Sequence, residues 1–240
     1  MIRDPFHVLL TTPVGIFLLR SKPSDVGIMP YGAEKQQEGS NEQSIGVPYK
    51  AALKMPQLWA CVFAFVLFAV TVTITQHLAA YFVSTGFSPV EAGIFMSVIS
   101  AGIIVTNTAA GVVSDKLGLL KTLSICSILY LLSFLVLPGS QSIVVICIAL
   151  LFMSIGNANT SIFAPVVTGA VFGNKDYASI WGLVSMACVL GQAIGAPLWG
   201  LVYDLTGGYE LGMYISAGIV VGALGLLYWT IRSMKKQTTQ

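Results

Sequence analysis

Six long apolar runs constrain this chain more than any other feature: Leu58–Val83, Ala92–Val113, Leu119–Leu137, Ile143–Ala170, Ile180–Tyr203 and Leu211–Ile231. Each approaches or exceeds the roughly 20 residues with which a helix crosses a bilayer's hydrocarbon. Lys and Arg are confined to the ends of these runs and to the segments between them. In lipid no water takes up stray backbone N–H and C=O groups, so only helices or closed barrels span it. Uninterrupted apolar runs select helices. The expected fold is an all-α integral membrane bundle of six transmembrane helices.

Composition agrees and removes other classes. Hydrophobic residues make up 55% of the chain and charged ones 9%, against roughly a quarter charged in a soluble domain. The net charge of +2, without a basic patch interleaved with aromatics, excludes nucleic acid as an expected partner. The bilayer itself is the first partner. Cys61, Cys126, Cys147 and Cys188 lie inside apolar runs and form no CxxC, so they read as small packing residues. No paired carboxylates, metal-ligand cluster or Ser/His/Asp set lies in or beside the helices, so neither an enzyme, a metal nor a cofactor is expected.

Residues 1–19 are apolar but short for a crossing and contain Pro13. They form either an interfacial segment or the end of a partial helix. No cleavable leader is expected there. Residues 20–56 carry Lys22, Lys35, Lys50 and Lys54 with Glu34, Glu38 and Glu42 among Gln, Gly and Ser, which marks a water-exposed linker. The six-helix unit occupies 57–232, and 233–240 form a polar tail.

The turns set the orientation. One side carries Lys116 and Lys121, then Lys175, then Arg232, Lys235 and Lys236. The other side, Ser84–Glu91, Pro138–Ser142 and Asp204–Glu210, carries no Lys or Arg. The positive-inside rule therefore places the linker and the C-terminus in the cytoplasm. Arg3 is the outlier if residues 1–19 span at all.

The segment Gly111-Val-Val-Ser-Asp115-Lys116-Leu-Gly118 returns 89 positions later as Gly200, Asp204 and Gly207. The same offset pairs Gly93 with Gly182 and Gly102 with Gly191. These matches predict two three-helix repeats, inverted because an odd number of crossings separates them. Such repeats are a device of transporter folds. Gly111 is expected to admit a neighbouring helix closely, and Gly118 to permit a tight turn.

Gly111-x-x-x-Asp115-Lys116-x-Gly118 resembles the loop signature between helices eight and nine of the major facilitator superfamily. Gly195-Ala-Pro-Leu-Trp-Gly200-x-x-x-Asp204-x-x-Gly207-Gly-Tyr209 is similar to the end of helix eleven in its monocarboxylate and oxalate–formate porter branch. Leu19-Arg-Ser-Lys-Pro-Ser-Asp-Val-Gly-Ile-Met-Pro-Tyr-Gly32 resembles the segment that leaves helix six there. The resemblance implies the end of helix six, the central loop and helices seven to twelve. The expected partners are then a missing N-terminal half or a second copy. It also implies solute transport by alternating access at the plasma membrane, with Asp115 and Lys116 closing a gate against the opposite half. A solvated turn is the alternative for that pair. Where related porters place an arginine and a lysine, this chain has Asn107 and Cys188 or Val189. That departure points away from carboxylate cargo, most firmly from a dicarboxylate.

Polar residues within a span face protein or a water-filled cavity. Asn107, Asn157, Asn159 and Gln192 are therefore cavity candidates, with interhelical hydrogen bonding as the equal alternative for Asn157 and Gln192. Thr73, His77 and Tyr81, spaced i, i+4, i+8, are expected on one face. His77 reads as a packed neutral ring, with proton coupling as the sharper alternative. Capping explains Glu91. Gly191-x-x-x-Gly195 and Gly218-x-x-x-Gly222 are expected close-packing faces. A truncated or non-transporting six-helix scaffold is the competing functional class. The topology is tested by thiol labelling of intact cells: a cysteine at Gly208 reacts with an impermeant reagent. One in the linker or after Lys236 is protected, and labelling there would reverse the orientation.

Overall fold

Short polar and glycine signals cut the chain into helices. The computed structural model describes residues 46–238, so the segment 1–19, the linker as far as residue 45 and the end of the tail lie outside the described residues. A short helix, α1 (Tyr49–Ala52), leads to Pro56, which opens α2 (Pro56–Val72) at the helix start, where a missing N–H costs nothing. A 3₁₀ segment, Thr73–His77, continues α2 into α3 (Leu78–Ser84). Helix α4 (Pro89–Leu117) opens on a capping box in which Ser88 and Glu91 satisfy each other's backbone N–H. Gly118, at φ 86°, ends α4 and starts α5 (Leu119–Val136). Then come α6 (Ile143–Ala158), a π segment Asn159–Phe163 and α7 (Ala164–Phe172). Helix α8 (Tyr177–Thr206) ends on Gly207 in the left-handed region, and α9 (Glu210–Thr238) closes the chain. Counting α2–α3 and α6–α7 as single spans, six helices among the described residues are long and apolar enough to cross a membrane.

The neighbours of each span obey a two-fold plan. The α2 helix packs along α8 and α9; α6 packs along α4 and α5; α5 packs along α9. Exchanging the first three spans with the last three turns each of these pairs into another of them, or into itself. Gly102 of α4 presses on Ser154 of α6, and Gly191 of α8, 89 residues on, presses on Val66 of α2. These are equivalent contacts of the two units. The matched turn glycines agree as well: Gly118 and Gly207 both hold positive φ, which a side chain would resist.

Large side chains fill the interior of the bundle. Phe65, Phe68, Phe82, Phe95, Tyr130, Phe134, Phe163 and Trp199 are fully buried or nearly so. Gly156 lies directly under the Tyr130 ring, and Gly191 and Gly195 let α8 close on Val66, Ala69, Val70 and Thr73. Two expectations fail here. A Cβ on Gly111 would meet nothing within 4 Å, and the same holds for Gly200, Gly218 and Gly222. The described residues bring no helix near these glycines, because α4 and α8 leave that surface uncovered and α9 turns Gly218 and Gly222 outward. The four cysteines are free thiols in or near packed surfaces.

The packing predicts that Gly156→Val, which drives two methyls into Tyr130, lowers stability in detergent by about 1–3 kcal/mol, the usual range for overpacking. Gly218→Ala leaves the melting temperature within a degree or two of the parent, as helix propensity at an open site favours Ala slightly.

Candidate functional site

Two polar constellations lie where the first helix of each unit departs from α geometry. The π segment widens the fourth span just past Asn157. The backbone carbonyl of Asn157 accepts from the hydroxyls of Thr160 (3.1 Å) and Ser161 (2.9 Å). Asn107 of α4 donates through Nδ2 to Asn157 Oδ1 at 3.2 Å. Ser161 Oγ lies 3.2 Å from Asn107 Oδ1 and 3.3 Å from Asn157 Oδ1. One turn away, Thr106 and Ser154 share a hydroxyl contact at 3.1 Å. Asn107 and Asn157 are half-buried and Ser161 is exposed, so the cluster opens onto the uncovered face of the bundle. Ser161 has a single hydroxyl hydrogen for the three oxygens around it, and no bond within the cluster uses the Nδ2 hydrogens of Asn157. The cluster therefore presents free amide N–H donors together with spare acceptor lone pairs.

The second constellation ties the 3₁₀ segment to α8 around Pro197. His77 Nε2 lies 3.0 Å from the Ala196 carbonyl, which can only accept, so this nitrogen carries the hydrogen. Nδ1 then accepts from the Tyr209 hydroxyl at 3.4 Å. Burial pushes the Tyr209 phenol above its ordinary pKa, with Tyr203 and Asp204 adding to the effect, so its O–H remains a donor. The Tyr203 ring stacks on Tyr209 with centroids 4.6 Å apart. Trp199 Nε1 donates to the Val70 carbonyl at 3.0 Å and to Thr73 Oγ1 at 3.1 Å.

The structure separates Tyr81 from Thr73 and His77. The five 3₁₀ residues wind at three per turn and not 3.6, which rotates the succeeding helix by about 100°. Thr73 and His77 face α8, while Tyr81 is buried with its hydroxyl on the Leu137 carbonyl (3.4 Å) and the Gly139 N–H (3.3 Å). The expected common face is thereby lost. Asn159 is fully buried beside Ser127, whose hydroxyl donates to its Oδ1 at 3.4 Å, and so stands apart from the open cluster. Gln192 is exposed on α8. Asp115, Lys116 and Asp204 are exposed beside their turn glycines. Sequence reasoning overlooked Trp199 as a polar tie. The signal was the indole itself, whose N–H needs an acceptor when the ring is buried. The pairing of Thr106 with Ser154 left no comparable signal.

A family model described as Major Facilitator Superfamily matches residues 80–240. The chain belongs to this superfamily. Among curated proteins it is similar to monocarboxylate transporter 13 of Rattus norvegicus, 28% identical over 156 residues, covering 63% of this chain and 36% of that protein. The Bos taurus counterpart is 27% identical over the same shares. The chain thus spans about a third of the length of the curated relatives it matches. Among solved structures, it is similar in fold to the E. coli fucose:proton symporter FucP, with a TM-score of 0.62 and 16% identity, covering 76% of this chain and 46% of that one. A second FucP structure, in the outward conformation, superposes with a TM-score of 0.62 at 14% identity, covering 80% and 47%. It is thus a multi-pass membrane protein of a superfamily of transporters.

The aromatic tie makes a measurable claim. Trp199→Phe keeps the ring volume largely intact but deprives the Val70 carbonyl and Thr73 hydroxyl of their donor. Thermal unfolding in detergent is expected to show a loss of about 1–3 kcal/mol. Trp199→Ala, which also opens a cavity, costs about 3–5 kcal/mol.

Proposed function

We propose that this chain is the C-terminal half of a secondary active transporter that moves a small solute by alternating access. Membership of the superfamily and the Asn107–Asn157–Ser161 cluster on the uncovered face carry this reading. A second six-helix half, supplied by the same polypeptide or by another chain, closes the cavity against α4 and α8. Without that wall, amides in hydrocarbon cost a few kcal/mol each. The protein works at the plasma membrane with its linker and C-terminus in the cytoplasm, in keeping with the turn lysines. Asn107 and Asn157 line the cavity, and Gln192 of α8 faces them across it. Asp115 and Lys116 meet the opposite half at the gate.

The chemistry of the cluster narrows the cargo. Free amide N–H groups and lone pairs fit a solute that offers hydroxyls, a carbonyl or a single carboxylate. The names of the curated relatives accord with the last of these. Two carboxylates exceed what amides can neutralise, since an unpaired charge at the midplane carries a penalty of several kcal/mol.

Proteoliposomes provide the test. This half with its complementary half is expected to show saturable uptake, and purified monomer alone none. Asn107→Ala and Asn157→Ala are each expected to reduce uptake about tenfold or more. Their stability shifts by well under ~1 kcal/mol, the ordinary size of an interhelical polar contact. Uptake by the monomer would show that no second half is needed. Absence of uptake with the complementary half would leave the six helices as a scaffold, and full activity of both variants would remove the amide cluster from the cargo's path. Counterflow with labelled dianions is expected to fail. Strong dianion exchange that survives removal of every cation in the other half's helices would overturn the cargo assignment.

A further inference from the structure

The last residues of the linker are bound where no transport signature directs attention. Val47 N donates to the Phe172 carbonyl at 2.8 Å, and Gly46 pairs with Gly173 in an isolated antiparallel bridge. A Cβ on Gly46 would lie 2.8 Å from Phe172 O and 3.0 Å from the N–H groups of Asn174 and Lys175, so only glycine fits this approach. Two residues on, Tyr49 N donates to Asp176 Oδ2 at 2.7 Å. Asp176 stands at the N-cap position of α8, yet its side chain makes no capping bond to its own helix. It caps α1 instead, across 127 residues of sequence. The α1 helix packs on α8 and buries Ala52 completely.

The turn so held, residues 173–176, joins two helices that are loosely closed at this end. An open cleft of about 410 Å³ lies between them, lined by Pro165, Val166, Gly169, Ala170, Asn174 and Tyr177. Tyr177 spans it, its hydroxyl donating to the Pro165 carbonyl at 3.3 Å. Pro165 comes just after the π segment, so one turn of helix connects the cleft to the amide cluster.

We propose that Gly46–Ala52 is a strap that relays the state of the linker to the α7–α8 turn. When the strap is engaged, Asp176 holds the turn against α1, the Phe172 carbonyl holds it against Val47, and the cleft keeps its present width. Pulling or modifying the linker releases α1, frees the turn and lets α7 and α8 separate. Any signal arriving on the polar linker, whether force from a joined domain or a charge added to it, thereby reaches the bundle through two backbone contacts and one carboxylate. The proposal stands whether or not the bundle transports.

Hydrogen–deuterium exchange on the purified full chain in nanodiscs tests it. Gly46→Val blocks the approach from the linker side and is expected to raise amide exchange in residues 165–177 about tenfold, the size of a lost charge-assisted bond. Asp176→Asn keeps an acceptor oxygen and removes the charge. It is expected to speed exchange at Val47 and Tyr49 together with residues 165–172. Lys175→Gln, in the same turn but outside the strap, is expected to leave both regions at the parent rate. Exchange in 165–172 that stays within twofold of the parent in both strap variants, while 46–52 accelerates, overturns the relay.

Discussion

Every backbone group in a bilayer needs a partner, and this requirement governs where the helices can be irregular. Two of the six spans leave α geometry midway, one tightening to 3₁₀ and the other widening to π. Each such break frees carbonyls, and side chains take them up. Val70 O accepts from Thr73 and Trp199. Asn157 O accepts from Thr160 and Ser161. Across the first interface, Ala196 O, next to the proline of α8, accepts from His77. Irregular backbone at membrane depth is tolerated only where protein or water covers it. The polar side chains here are therefore first a condition of the fold, and only then available to a solute.

The two units share a plan but not a chemistry. At the α2–α8 interface, the breaks are locked by Trp199, His77 and Tyr209, large rings with few polar atoms. At the equivalent α4–α6 interface, they are met by Asn107, Asn157, Ser154 and Thr106, small groups with hydrogen-bonding capacity to spare. The first arrangement resists rearrangement because moving a ring of that size disturbs packing on all sides. The second exchanges partners at small cost, since interhelical polar contacts average well under about 1 kcal/mol. One plan has thus produced a rigid side and an adaptable side.

Much of this was legible in the chain. Run length and the scarcity of charge were enough for six helices, because hydrocarbon thickness sets their length. The 89-residue offset found Gly102 with Gly191 and Gly118 with Gly207, whose contacts and backbone angles match. It also returned Gly111 and Gly200, which touch nothing among the described residues; spacing alone cannot tell a packing glycine from a free one. Asn107 and Asn157 were found as polar interruptions of apolar helices, but their meeting depends on the parallel register of α4 and α6. Tyr81 was misplaced because periodicity assumes 3.6 residues per turn throughout, and a five-residue 3₁₀ stretch breaks that assumption. The linker strap was illegible. It rests on one glycine's close approach and one aspartate that abandons its own helix, and neither leaves a local pattern.

The order of the contacts has a consequence for how the protein is made. The α2 helix belongs to the most enclosed of the spans, yet its enclosing partners α8 and α9 are synthesised well after it. Val70 waits for Trp199 across 129 residues, which at ordinary elongation rates of about 5–20 residues per second is on the order of ten seconds. During that interval the face of α2 bearing Val66, Ala69 and Val70 lacks α8 and is left to lipid, the insertion machinery or a chaperone. A ribosome that stalls before α8 leaves that face bare, so quality control of this protein is decided at α2 by the arrival of α8.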